Sequence, residues 1–148
     1  MNMSGYGKYS DNHRKMVVHI LHTASWLDTK ISALLKNYGI THVQFNILKV
    51  LEASHPEPQS VGKVKEGILF SNSDMTRLMD RLVTKNLVVR NICSENRRRI
   101  DVEITKEGLD LLNEINPGLS AILENYYADK VTQEEALWIS NKLKEIRK

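Results

Sequence analysis

From Asp11 to Tyr38 the apolar residues Val17, Ile20, Ala24, Leu27, Ile31, Leu34 and Tyr38 recur at alternating steps of three and four. Only a helix puts such positions on one side. A mean step of about 3.5 residues, held this long, draws a narrow seam that packs on another long helix rather than over a small core. The chain has 148 residues, the size of one domain. A single unit over 1–148 is therefore expected, in which this opening helix is committed to helix–helix packing.

Punctuation after the seam is equally directive. Gly39 suits a left-handed helix end, and Thr41 opens a second helix carrying Val43, Phe45, Ile47, Leu48 and Leu51, closed by His55-Pro56-Glu57-Pro58. Val61, Val64 and Ile68 predict a short third helix. Ser71-Asn72-Ser73-Asp74 supplies the N-terminal cap of a fourth, in which Met75, Leu78, Met79 and Leu82 share one face. The period then changes. Leu87–Ile92 and Ile100–Ile104 predict two strands joined by a polar turn, a β-hairpin. Thr105 caps a long helix bearing Leu109, Leu112, Ile115, Leu119, Ile122 and Tyr126, which Pro117-Gly118 should kink or interrupt. Thr132-Gln133-Glu134-Glu135 is a capping box for the last helix, with Ala136, Ile139, Leu143 and Ile146 expected inward.

The fold class that follows is mainly α with a small β-hairpin wing: a winged helix-turn-helix reading head over 41–104, flanked by long dimerisation helices at 11–38 and 105–148. Charge is distributed to match. The net charge is only +3, yet between Arg77 and Arg99 seven basic residues face two acids. A local excess of that kind favours a polyanion docked at one place. No apolar run approaches a membrane span, and the first ten residues lack the pattern of a secretory leader. With a single cysteine, Cys93, no internal disulfide is possible. A cytoplasmic protein without membrane contact is expected.

On the fourth helix, the side opposite the apolar face presents Ser73, Arg77, Asp80 and Thr84, flanked by Thr76 and Arg81. Arginine can donate in pairs to guanine, and Ser or Thr can bond bases or phosphates. Ser71, Asn72 and Ser73 stand where the free N–H groups of a helix start suit phosphate. A solvated amphipathic helix would show the same pattern, so the hairpin has to decide. Its turn carries Arg97, Arg98 and Arg99, and three adjacent like charges call for an anion, either phosphate or the minor groove. A charged edge strand that only resists aggregation is the plainer alternative.

Four segments, Met75-Thr76-Arg77-Leu78-Met79-Asp80-Arg81-Leu82, Leu87-Val88-Val89-Arg90, Asn96-Arg97-Arg98 and Ile104-Thr105-Lys106-Glu107-Gly108, together resemble the MarR family of bacterial regulators. The family pattern is V-T-R-L-V-D-R-L, G-L-V-x-R, D-x-R and L-T-x-x-G. The resemblance implies a homodimer on a pseudo-palindromic operator in double-stranded DNA, with the fourth helix in the major groove. It also implies a repressor released by a small aromatic or anionic effector. Asn86 replaces the family glycine before the strand, and Asn96 the aspartate that steadies the wing arginine, a task Glu95 could assume. The segment from Lys65 to Ser73 is longer than the common spacing.

His19 and His22 share a flank of the first helix with Trp26 and are expected to line an effector crevice between the dimer helices and the reading head. No acid or cysteine sits beside them to complete a metal site, so no metal or other cofactor is expected. Cys93 is expected to be an inert strand-end thiol. No nucleophile elbow, phosphate loop or carboxylate–histidine motif is present, and catalysis is not expected. The competing reading from another class is a winged-helix module that binds a protein through its basic face without reading DNA.

Overall fold

Local capping signals decide where the helices begin. In the computed structural model, which describes residues 10–69 and 74–148, α1 (Asp11–Lys36) ends at Gly39, whose φ of +69° lets the Ile40 N–H turn back to the Leu35 carbonyl at 3.4 Å. Thr41 Oγ1 accepts from the Gln44 N–H at 3.2 Å while Gln44 Oε1 accepts from the Thr41 N–H at 3.0 Å, and this reciprocal box opens α2 (His42–Ser54). Ser60 caps the one-core-residue helix α3 (Val61–Gly67), and α4 (Met75–Thr84) follows. The same box logic opens α6 (Gln133–Ile146) through Thr132 and Glu135.

The sheet has three strands rather than the expected two. The hairpin of β2 (Val88–Ile92) and β3 (Ile100–Ile104) is joined by β1 (Gln59–Ser60), which pairs with β3 at Asp101 and Val102, in the order β1-β3-β2. Asn86, at φ +58°, makes the left-handed turn into β2 in place of glycine, and its carbonyl accepts from Thr105 Oγ1 at 2.7 Å. That bond ties the strand's entry to the start of α5 (Lys106–Tyr127).

One core fills the reading head. Ile47, Leu48 and Leu51 of α2, Val64 of α3, Met79 and Leu82 of α4, Val88 and Val102 of the sheet, and Leu112 and Ile115 of α5 are essentially solvent-free. The outer helices stand apart from it. Leu35 is the only buried residue of α1, and α6 has none among the described residues. Ile139 and Ile146, expected inward, are exposed in the single chain. Helix α5 runs through Pro117 as one element, so the proline does not interrupt it. Its next residue, Gly118, lies against α1 so closely that a Cβ there would come within 2.7 Å of Leu34 Cδ1.

Candidate nucleic-acid interface

Helix α4 is held from three sides. Met75, Met79 and Leu82 are buried in the core and Leu78 packs against it. Arg90 on β2 donates from Nη1 to Asp80 Oδ1 at 2.6 Å and from Nη2 to the Thr76 carbonyl at 3.1 Å, pinning the first turn of α4 to the wing. Lys85, the C-terminal cap, donates from Nζ to the Gly39 carbonyl, linking the far end of α4 to the end of α1. What remains outward is Thr76, Arg77, Arg81 and Thr84, all exposed. Arg77 meets Asp74 only at 3.8 Å and keeps 69% of its side chain in solvent, so its guanidinium is available. The Thr84 hydroxyl is turned back to the Asp80 carbonyl at 2.9 Å. Ser71, Asn72 and Ser73 lie outside the described residues.

At the wing the three arginines divide. Arg99 donates from Nε and Nη2 to the two oxygens of Asp101 at 2.8 and 3.1 Å. This hydrogen-bonded pair, more than any other influence, holds the Asp101 carboxyl below the ordinary aspartate value and raises Arg99 above its own. Two of its guanidinium nitrogens are thereby engaged within the wing, while half of the side chain stays in solvent. Arg97 and Arg98 are exposed, and their side chains meet no carboxylate among the described residues. Asn96 closes the turn between them, its Oδ1 accepting from the Arg98 N–H at 3.1 Å and its carbonyl from the Arg99 N–H at 2.8 Å. The wing is steadied by Asn96 and Asp101, not by an ion pair to Glu95. Cys93 is buried beneath this turn.

His19 and Trp26 have different surroundings among the described residues. Trp26 packs edge-to-face on Tyr126 of α5, with ring centres 4.8 Å apart. His19 borders a cleft of about 510 Å³ between α1 and α6, lined chiefly by Met16, Ile20, Leu27, Ile139 and Leu143, to which neither His22 nor Trp26 contributes. Sequence reasoning missed a second cleft of about 350 Å³ where α1 meets α2, lined by Asp28, Ser32, Thr41, His42 and Val43. There His42 Nδ1 lies 2.5 Å from Asp28 Oδ1. No group of three metal-ligating side chains occurs among the described residues.

No protein-family model matches the chain. MdtR of Bacillus subtilis, an HTH-type transcriptional repressor, is 32% identical over 103 residues, which span 70% of this chain and 64% of that one. AbsC, a MarR family transcriptional regulator from Streptomyces coelicolor, superposes with a TM-score of 0.84 over 96% of each chain, at 21% identity. The chain has the winged helix-turn-helix fold of these MarR-type regulators. The same fold is shared by a mutant MarR from Escherichia coli complexed with operator DNA, with a TM-score of 0.76, 21% identity, and coverage of 93% of this chain and 99% of that one. These relatives are transcriptional regulators by name. No helix among the described residues is long and apolar enough to cross a membrane.

Proposed function

We propose that the protein binds double-stranded DNA as a homodimer and represses transcription until a small effector releases it. One observation carries the DNA reading: α4, clamped to core and wing, presents Thr76, Arg77 and Arg81 to solvent beside the free guanidinium groups of Arg97 and Arg98. A helix fits the major groove, and a cationic turn beside it suits phosphate or the narrower groove. The dimer reading rests on α6. It carries Leu137, Trp138, Ile139 and Ile146 in solvent, and the clefts of about 510 and 590 Å³ beside it have apolar walls drawn from α1, α5 and α6. A second copy would cover them. An effector acts best where dimer helices meet the reading head, so we place it in the cleft of Asp28 and His42.

Selection of random duplexes on the purified protein tests this. Recovered sites should be pseudo-palindromes with half-sites about one helical turn, or a multiple, apart, and affinity should fall steeply with salt. Failure to retain any duplex would leave the basic face to a protein partner.

A further inference from the structure

The hairpin continues beyond the core on the same side that faces α4. Val88 pairs with Ile104, Arg90 with Val102 and Ile92 with Ile100, so alternation puts all six side chains on one face. Val88, Val102 and Ile104 are core residues, and Arg90 reaches the first turn of α4. Ile92 and Ile100 come next along the same row and are 70% and 48% exposed, with no cover from the core among the described residues. Strand β1 stops at Asp101, so the ribbon here is two strands wide. Immediately beyond lies the turn with Arg97 and Arg98.

Two isoleucines directly opposed on a bare two-stranded ribbon are a liability unless something covers them. The flanking guanidinium groups define what that is. A purely apolar protein or lipid surface would leave two arginines unpaired, whereas the wall of a DNA minor groove sets apolar deoxyribose faces between rows of phosphate. We propose that Ile92 and Ile100 pack on the sugar rings of the operator's minor groove while Arg97 and Arg98 engage the adjacent phosphates. The wing then binds by apolar burial as well as by charge. This rests on the DNA reading above and specifies which surface of the wing meets the duplex.

The experiment compares the full-length parent, the double variant Ile92→Ser/Ile100→Ser and the conservative Ile92→Val/Ile100→Val on the selected duplex at several salt concentrations, with thermal melting of each free protein. Removing apolar contacts without charge should weaken binding about tenfold. The slope of log Kd against log salt should stay unchanged, because no phosphate contact is lost. The valine pair should bind within about threefold of the parent, and all three proteins should melt together. Unchanged affinity of the serine pair overturns the proposal. So does a reduced salt slope, or a melting temperature lowered in step with affinity, which would show that the isoleucines pack against this protein's own chain. If the parent itself binds no duplex, the DNA reading fails instead.

Discussion

Asp80 on α4 and Arg90 on β2 join that helix to the wing at 2.6 Å, and the same guanidinium reaches the Thr76 carbonyl one turn earlier. The strand thereby fixes both the tilt of α4 and the place from which the wing departs. Asp80 is half in solvent, which screens the charge, so the ion pair alone is worth about 0.5–1 kcal/mol. Arg90→Ala also strips the Thr76 carbonyl of its extra donor and should cost about 1–2 kcal/mol in all. Denaturant unfolding of Arg90→Ala, Asp80→Asn and the double variant measures this. The double variant should cost less than the two single changes added together.

Gly108 shows a constraint of another kind. A Cβ there would lie 2.5 Å from the Leu87 carbonyl oxygen, a backbone atom that the Thr105 N–H also holds at 3.1 Å. Gly108→Ala should therefore cost about 1–3 kcal/mol despite the better helix propensity of alanine. At Gly118 the obstacle is the end of the Leu34 side chain, which can turn aside. Gly118→Ala should be closer to neutral. Thermal melting of the two variants side by side checks the contrast.

These glycines mark how far the sequence could be read. Capping residues such as Thr41, Thr105 and Thr132 act within one turn of themselves, so their partners were legible at fixed spacing. The role of Gly108 depends on Leu87, twenty-one residues away, and only the motif hinted at it. Strand β1 was invisible because two residues show no alternation, and they pair only because β3 has a free edge at Asp101 and Val102. The arginine run is not a unit in the free chain, where Arg99 alone has a carboxylate partner among the described residues. Arg99 and Asp101 are two apart, the spacing that puts neighbours on one face of a strand, so their pairing could have been foreseen. The supposed crevice of His19, His22 and Trp26 shared a helix flank, but Tyr126, a residue of α5, claims the tryptophan.

The Arg99–Asp101 pair makes the wing sensitive to acid. Asp101 titrates below its unfolded value, so its contribution is complete above the ordinary aspartate range and is lost as pH falls through the lowered folded value. Exchange of the Cys93 N–H, which donates to the Arg99 carbonyl at 2.9 Å, reports on this turn. Its protection should drop on acidification. Asp101→Asn should show reduced protection near neutral pH and a weaker response to acid.

The proposed dimer predicts a mass of two chains in sedimentation at micromolar concentration. Leu137→Glu/Trp138→Glu should shift the protein toward monomer and weaken operator binding, while leaving the reading-head core intact because α6 contributes no buried residue to it. A parent that sediments as a monomer would overturn the assignment of α6.

On the proposed DNA reading Arg77 and Arg98 should fail differently, because a base reader and a backbone anchor carry different information. Arg77, the third residue of α4, has most of its side chain in solvent and only a loose contact to Asp74. Arg77→Ala should cost about 1–3 kcal/mol on the cognate site and relax preference at one base position. Arg98 sits in a turn whose backbone is fixed by Asn96 while its own side chain remains unpaired among the described residues. Arg98→Ala should weaken cognate and scrambled duplexes together and lower the salt slope by about one unit. Arg99→Ala provides the control: its guanidinium is engaged by Asp101, so its loss should disturb the wing's acid response more than the salt slope. Titrations of the three variants and the parent on both duplexes at several salt concentrations separate these outcomes. If Arg98→Ala changed base preference while Arg77→Ala preserved the cognate-to-scrambled ratio, the roles of reader and anchor would be reversed.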